Sequence, residues 1–190
     1  MENETFPRQR GPWQQLDEKV VYENPWIRLT HENVVTPGGT DGIYGVVHFK
    51  SRAVGVVPVD DEGYVWLVKQ YRYTLNAYSI EIPEGGSPFH EDMLETAKRE
   101  LREETGLSAA RWSHLLDLHT SNSVTDEGGA LYLAQGLTEG ETAFEATEDI
   151  EVLRVPLSEA IDWIFAGKIT DSLSVMGLLA AERCIKPDIL

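Results

Sequence analysis

GGSPFHEDMLETAKRELREETGL, residues 85–107, is the stretch whose reading decides the fold. Between Glu91 and Thr105 it holds no Gly or Pro, and Gly106 stands where a helix end favours a left-handed residue. At about 100° per residue, Leu94, Ala97 and Leu101 share one apolar face of such a helix. Glu100, Glu103 and Glu104 project together from a neighbouring face. Carboxylates so grouped repel unless a cation sits among them, and hard divalent cations prefer oxygen ligands. The cluster falls in the last turn, against the helix dipole, which favours basic side chains there. A bound metal offsets that cost, whereas a plainly solvated acidic face gains nothing from it. The glutamates are read as an exposed metal cluster.

Length and composition narrow the function further. A chain of 190 residues suits one α/β domain with a small appended part. Apolar content of 42% and charged content of 25% are ordinary globular values. The formal net charge of −16, from 16 basic against 32 acidic residues, disfavours nucleic acid and anionic membranes as partners. A small anionic substrate remains compatible, because a bound cation and a few arginines reverse the local field. Cys184 is the only cysteine, so an intrachain disulfide and a Cys/His metal site are both excluded. The opening MENETFPRQRGPW lacks an apolar run, and no segment has the ~18 apolar residues of a membrane span, so a cytoplasmic protein is expected.

Outward from the glutamate helix, the chain divides into three expected parts. Residues 1–15, with Pro7, Pro12, Arg8 and Arg10 among polar neighbours, are expected to be a flexible terminus. Residues 16–50 read as a β meander: strands at Lys19–Tyr22 and Trp26–Thr36, a turn at Pro37-Gly38-Gly39, and a strand at Ile43–Phe49. Residues 51–190 form the main domain. There, Ala53–Val59 is apolar enough for a central strand, and Asp60–Gly63 turns it into a partner at Tyr64–Tyr71. A short strand, Tyr78–Ile82, leads into a glycine turn at Pro83-Glu84-Gly85. Strands follow near Ser113–Leu118, Ala130–Ala134 and Glu151–Val155, and helices at Leu157–Ala166 and Ser172–Cys184. Residues 138–149 read as an acidic loop.

The spacing G-x5-E-x7-R-E-L-x-E-E-x-G-L, carried by Gly85, Glu91, Arg99, Glu100, Leu101, Glu103, Glu104, Gly106 and Leu107, resembles the Nudix hydrolase signature. Val68–Arg72, Glu81–Gly85 and Gly167–Asp171 extend the likeness to the ADP-ribose pyrophosphatase and nucleoside diphosphate sugar hydrolase branch. The resemblance implies an α/β protein: a Nudix α/β/α sandwich with a mixed sheet, plus a small N-terminal antiparallel meander. It implies that the meander joins a homodimer and often reaches over the partner's active site. It also implies Mg²⁺, with Mn²⁺ as the alternative, held by Glu100, Glu104, the carbonyl of Glu84 and Glu148. Glu103 is a supporting ligand, and Arg99 holds a box glutamate in place, its matching partner being Glu91. The general base comes, in that branch, from the acidic loop. The position that often supplies it is Ala146 here, which leaves Glu145, Glu141 or Glu148 for the role.

For the substrate, the resemblance implies pyrophosphate binding by Arg72, whose guanidinium fork suits two phosphate oxygens. Trp26 and Tyr44 match aromatic positions that sandwich the base across the dimer in some relatives, and Arg28, on Trp26's side of its strand, is a further phosphate candidate. Asn122-Ser123 replaces the branch's usual Pro-Gly, but Asp126-Glu127 is kept, so Glu127 is the candidate for sugar hydroxyls or a further metal. The expected reaction is Mg²⁺-dependent hydrolysis of a nucleoside diphosphate sugar to a nucleoside monophosphate and a sugar phosphate. ADP-ribose is the first candidate, followed by sugars such as GDP-mannose or ADP-glucose. The alternatives are a non-catalytic nucleotide-sugar sensor, and a Nudix enzyme for capped or triphosphorylated RNA ends, which the acidic surface disfavours.

Overall fold

The computed structural model describes residues 6–140 and 149–185. Its chain forms two compact units, Met1–Ser51 with Ser121–Glu127, and Arg52–Thr120 with Gly128–Leu190.

In the first unit, β1 (Arg8–Arg10) and β2 (Trp13–Gln15) form an antiparallel hairpin closed by Gly11 at φ 57°. Residues 8–15 are therefore not the loose terminus that their polar composition suggests. Gln14 and Gln15 pair with Val35 and Val34, and Gln15 is wholly buried. Pairing with a distant strand supplies order that no local periodicity advertises. β3 (Lys19–Glu23), β4 (Ile27–Val35) and β5 (Asp41–Phe49) complete the antiparallel meander, with β4 central. Ser121–Glu127 joins it by a parallel bridge between Val47 and Thr125.

The second unit is built around β6 (Ser51–Pro58), the strand read as central. Val57 and Val59 face a cluster with Leu67, Ile82, Leu131, Leu157 and Leu178, whereas Val54 and Val56 face Ala97, Leu101, Leu107 and Ala134. Alternation between two clusters is what a strand covered on both faces requires. β7 (Tyr64–Arg72) and β8 (Ala77–Glu81) pair antiparallel, and β9 (Glu84–Pro88) lies at the edge of the sheet β10-β11-β6-β9. The sequence reading made Pro83–Gly85 a turn. Gly85 has no positive φ, however, and serves a close approach described below.

Helix α1 (Met93–Thr105) starts later than Glu91, because Asp92 is its N-cap and accepts the Leu94 amide at 2.8 Å. Gly106, at φ 73°, closes it and donates its N–H to the Arg102 carbonyl. β10 (Leu107–His119) follows without a loop and pairs antiparallel with β11 (Gly128–Glu139), both longer than expected. β11 runs parallel to β6, so the sheet is mixed. β12 (Glu151–Pro156) pairs with β7, and α2 (Leu157–Phe165) and α3 (Ser172–Ile185) pack on the larger cluster. The architecture is the expected mixed α/β fold.

A Cβ on Gly129, opposite Ala53 in the parallel pair, would collide with the Ala53 carbonyl. Gly129→Ala is expected to lower unfolding free energy by about 1–3 kcal/mol, the usual cost of overpacking, read from the urea midpoint. An unchanged midpoint would show that β6 and β11 separate more easily than their packing implies.

Candidate active site

The glutamates of α1 are not an exposed cluster. Glu100 and Glu104 are only 8% and 2% exposed, and Glu103 is half-buried. The helix presses this face against β9. The Glu84 amide donates to Glu104 Oε2 at 3.0 Å, and the Glu100 carboxyl fills the space where a Cβ of Gly85 would stand. The peptide at 84–85 therefore meets both glutamates that the sequence assigns to metal, and the missing side chain is what admits Glu100. Sequence spacing puts Glu100 and Glu104 on one helix face; β9 turns that face into an enclosed site.

Arg99 holds the helix side of this arrangement. It pairs with Glu100 at 2.8 Å, Glu103 at 3.1 Å and Glu91 at 3.8 Å. The expected Glu91 partner is present, yet the nearer contacts are to Glu100 and Glu103. Burial works against the charge on Arg99, but Glu100, Glu103 and Glu91 outweigh it and keep the guanidinium more firmly protonated than usual.

A second acidic group was not singled out from the sequence. Among the described residues, Glu81, Glu84 and Asp171 bring carboxylate oxygens within 4.8 Å of one another. Arg72 lies against two of them, with Nε donating to Glu81 at 3.0 Å, and one terminal nitrogen reaching Glu81 at 2.6 Å and Glu84 at 2.7 Å. These residues line a cleft of about 500 Å³ with Thr74, Ser79, Thr170 and Ser172. Burial pushes the Glu84 carboxyl well above its usual range; Asp171 and Glu81 add to the rise, and Arg72 opposes it. Burial likewise opposes the charge on Arg72, but the Glu81 hydrogen bond and the charges of Glu81, Glu84 and Glu104 raise its pKa on balance. Asp171 is tied to the fold as well. It accepts the Ser174 amide and hydroxyl, and Ser174 Oγ accepts the Ile82 amide at 2.9 Å. The signal was in view, since Glu81, Glu84 and Asp171 all lie in phrases that carry the resemblance. Their meeting depends on how β8 and α3 pack.

The remaining substrate candidates separate. Trp26 is 72% exposed. Tyr44 donates to the Ser123 carbonyl at 3.0 Å and meets Trp13 edge to face. The β4–β5 register sets Tyr44 opposite Glu32, whereas Trp26 accepts from the Lys50 amide. At about 3.3 Å per residue the two aromatics are about 20 Å apart along the strands, too far to sandwich one base within a protomer. Arg28 pairs with Glu18 at 3.5 Å. Glu127 is half-buried, and its amide donates to Thr125 Oγ1 at 3.4 Å. A cavity of about 260 Å³ in the same unit is lined by Trp13, Gln15, Glu32, Tyr44 and the 122–125 segment. Glu141, Glu145 and Glu148 lie outside the described residues.

The oxygen-only donor set suits a hard divalent cation. Glu84 Oε2, buried and without a hydrogen-bond partner, fits the same reading. Comparison with known proteins gives the family. Residues 49–173 match the NUDIX domain, and residues 13–47 match the nucleoside diphosphate sugar hydrolase N-terminal domain. An ADP-ribose pyrophosphatase of Mycobacterium tuberculosis is 35% identical over 175 residues, covering 88% of this chain and 82% of its own. A methanol dehydrogenase activator of Bacillus methanolicus is 32% identical over 160 residues, covering 83% and 86%. The crystal structure of an ADP compounds hydrolase superposes with a TM-score of 0.84 at 20% identity, over 96% of this chain and 98% of that one.

Proposed function

Since the chain belongs to the Nudix family, whose domain its residues 49–173 match, we propose that it hydrolyses the pyrophosphate bond of a nucleoside diphosphate sugar. The products are a nucleoside monophosphate and a sugar phosphate. ADP-ribose is the leading substrate, in line with the 35% identical pyrophosphatase, and Mg²⁺ is the proposed metal. The observation that carries the reading is the grip of the Glu84–Gly85 peptide on Glu104 and Glu100.

Glu100, Glu104 and the Glu84 carbonyl would hold the ion. When bound, the metal neutralises phosphate oxygens and makes hydroxide available near neutral pH. The chain's own residues supply position. The Glu84 amide fixes one oxygen of Glu104, and Arg99 fixes Glu100 and Glu103, so these side chains need little reordering when the site is loaded. Glu81 and Glu84 set the plane of the Arg72 guanidinium by engaging Nε and one terminal nitrogen, which leaves the other for phosphate oxygens. Glu127 is proposed for the sugar hydroxyls, and Glu148 or Glu145 for water activation. A homodimer is proposed through the N-terminal unit, where Val20, Val21, Tyr22, Trp26 and Ile43 are exposed.

The test is to incubate the pure protein and Mg²⁺ with a panel of nucleoside diphosphate sugars and identify products by mass. Monophosphate and sugar phosphate are expected from at least one, with turnover abolished by EDTA and restored by Mg²⁺. Binding without product across the panel would favour a sensor instead.

A further inference from the structure

Ser121–Glu127 is fastened to β5 along its length. The Val47 amide donates to the Val124 carbonyl at 2.9 Å, the Asp126 amide to the Val47 carbonyl at 3.3 Å, and Tyr44 Oη to the Ser123 carbonyl. The Asp126 carboxylate is gripped twice, by the Phe49 amide at 3.1 Å and by His48 Nδ1 at 2.6 Å. The other ring nitrogen of His48 lies 3.1 Å from Thr30 Oγ1, and the buried Thr30 hydroxyl donates to Glu32 at 3.2 Å. Glu32 is itself buried and has Arg10 at 3.7 Å.

Hydrogen counting gives this chain a direction. Carboxylates accept only, and a threonine hydroxyl has one hydrogen. Asp126 therefore takes its hydrogen from His48 Nδ1, and Nε2 meets the Thr30 hydroxyl. The carboxylate acceptor makes this a charge-assisted clasp between the meander's interior and the loop. Its two ends are far apart in sequence, so no local pattern announces it.

We propose that His48 is a positioning residue for substrate: through Asp126 it holds the 121–127 segment on β5 and so fixes where Glu127 is presented. The segment also forms a wall of the 260 Å³ cavity, which gives its placement a second consequence. The inference rests on the proposed role of Glu127 in binding the sugar.

Three single variants and the double alanine variant test it: His48→Ala, His48→Asn, whose amide nitrogen replaces Nδ1, and Asp126→Ala, at a half-exposed side chain. Losing a charge-assisted bond is expected to raise KM for the hydrolysed nucleoside diphosphate sugar about tenfold, with kcat within about twofold, in both alanine variants. The double alanine variant is expected to be no worse than either single one, and His48→Asn to recover most of the KM. Hydrogen exchange at the Val47 and Asp126 amides, which does not depend on activity, is expected to quicken in the alanine variants. Unchanged exchange would overturn the clasp. Quickened exchange with unchanged KM, or equal losses in kcat and KM without rescue by Asn, would overturn the positioning role. Failure of the hydrolase reading itself would show separately, as a wild-type protein that turns over nothing.

Discussion

Glu104→Gln is expected to lower kcat at least about a hundredfold, with the fold intact. The glutamine carbonyl still accepts the Glu84 amide that Glu104 Oε2 accepts now, so β9 and α1 stay joined. What disappears is one negative charge among Glu100, Glu103 and Glu104, the charge that would draw the metal. Stability without metal should hold or rise, because a buried carboxylate among like charges is costly. The measurements are steady-state turnover against Mg²⁺ concentration and urea unfolding with EDTA. Wild-type kcat from the folded variant would sink the metal role of Glu104. A variant that unfolds would instead show that the carboxylate's main work is structural.

Gly85→Ala is expected to be nearly as damaging, about a hundredfold in kcat, although it removes no charge or ligand. Its Cβ would collide with the Glu100 carboxyl, so either that carboxylate moves or β9 retreats from α1. Either shift misplaces one of the two side chains proposed to hold metal. The distinguishing readout is Mg²⁺ affinity, which should weaken with kcat while circular dichroism stays native. A variant with normal Mg²⁺ dependence and normal turnover would mean that the close approach has no catalytic use.

These two positions were legible in different ways. The identities and spacing of Glu100 and Glu104 are properties of a single helix, and the Asp92 and Gly106 caps are local signals too. Gly85 was noticed as the first glycine of the signature but read as turn punctuation, and the structure uses it as absent volume inside a strand. Residues 8–15 went the other way, because a polar stretch carries no periodicity until its partner on β4 is known.

The fold class, the buried strand β6 and the grouping of Glu100, Glu103 and Glu104 on one face of α1 were determined by the sequence alone. Each depends on periodicity and caps within a few residues, where backbone geometry leaves little freedom. Only the tertiary structure decided the burial of the glutamates against β9, the meeting of Glu81 and Glu84 with Asp171, and the clasp from Asp126 through His48 to Thr30. These join side chains from separate elements, and strand register and helix packing set whether such groups meet. A carboxylate's chemistry is then fixed by the neighbours that packing gives it. For Glu84 the decisive ones are the desolvated cleft, Asp171 and Arg72.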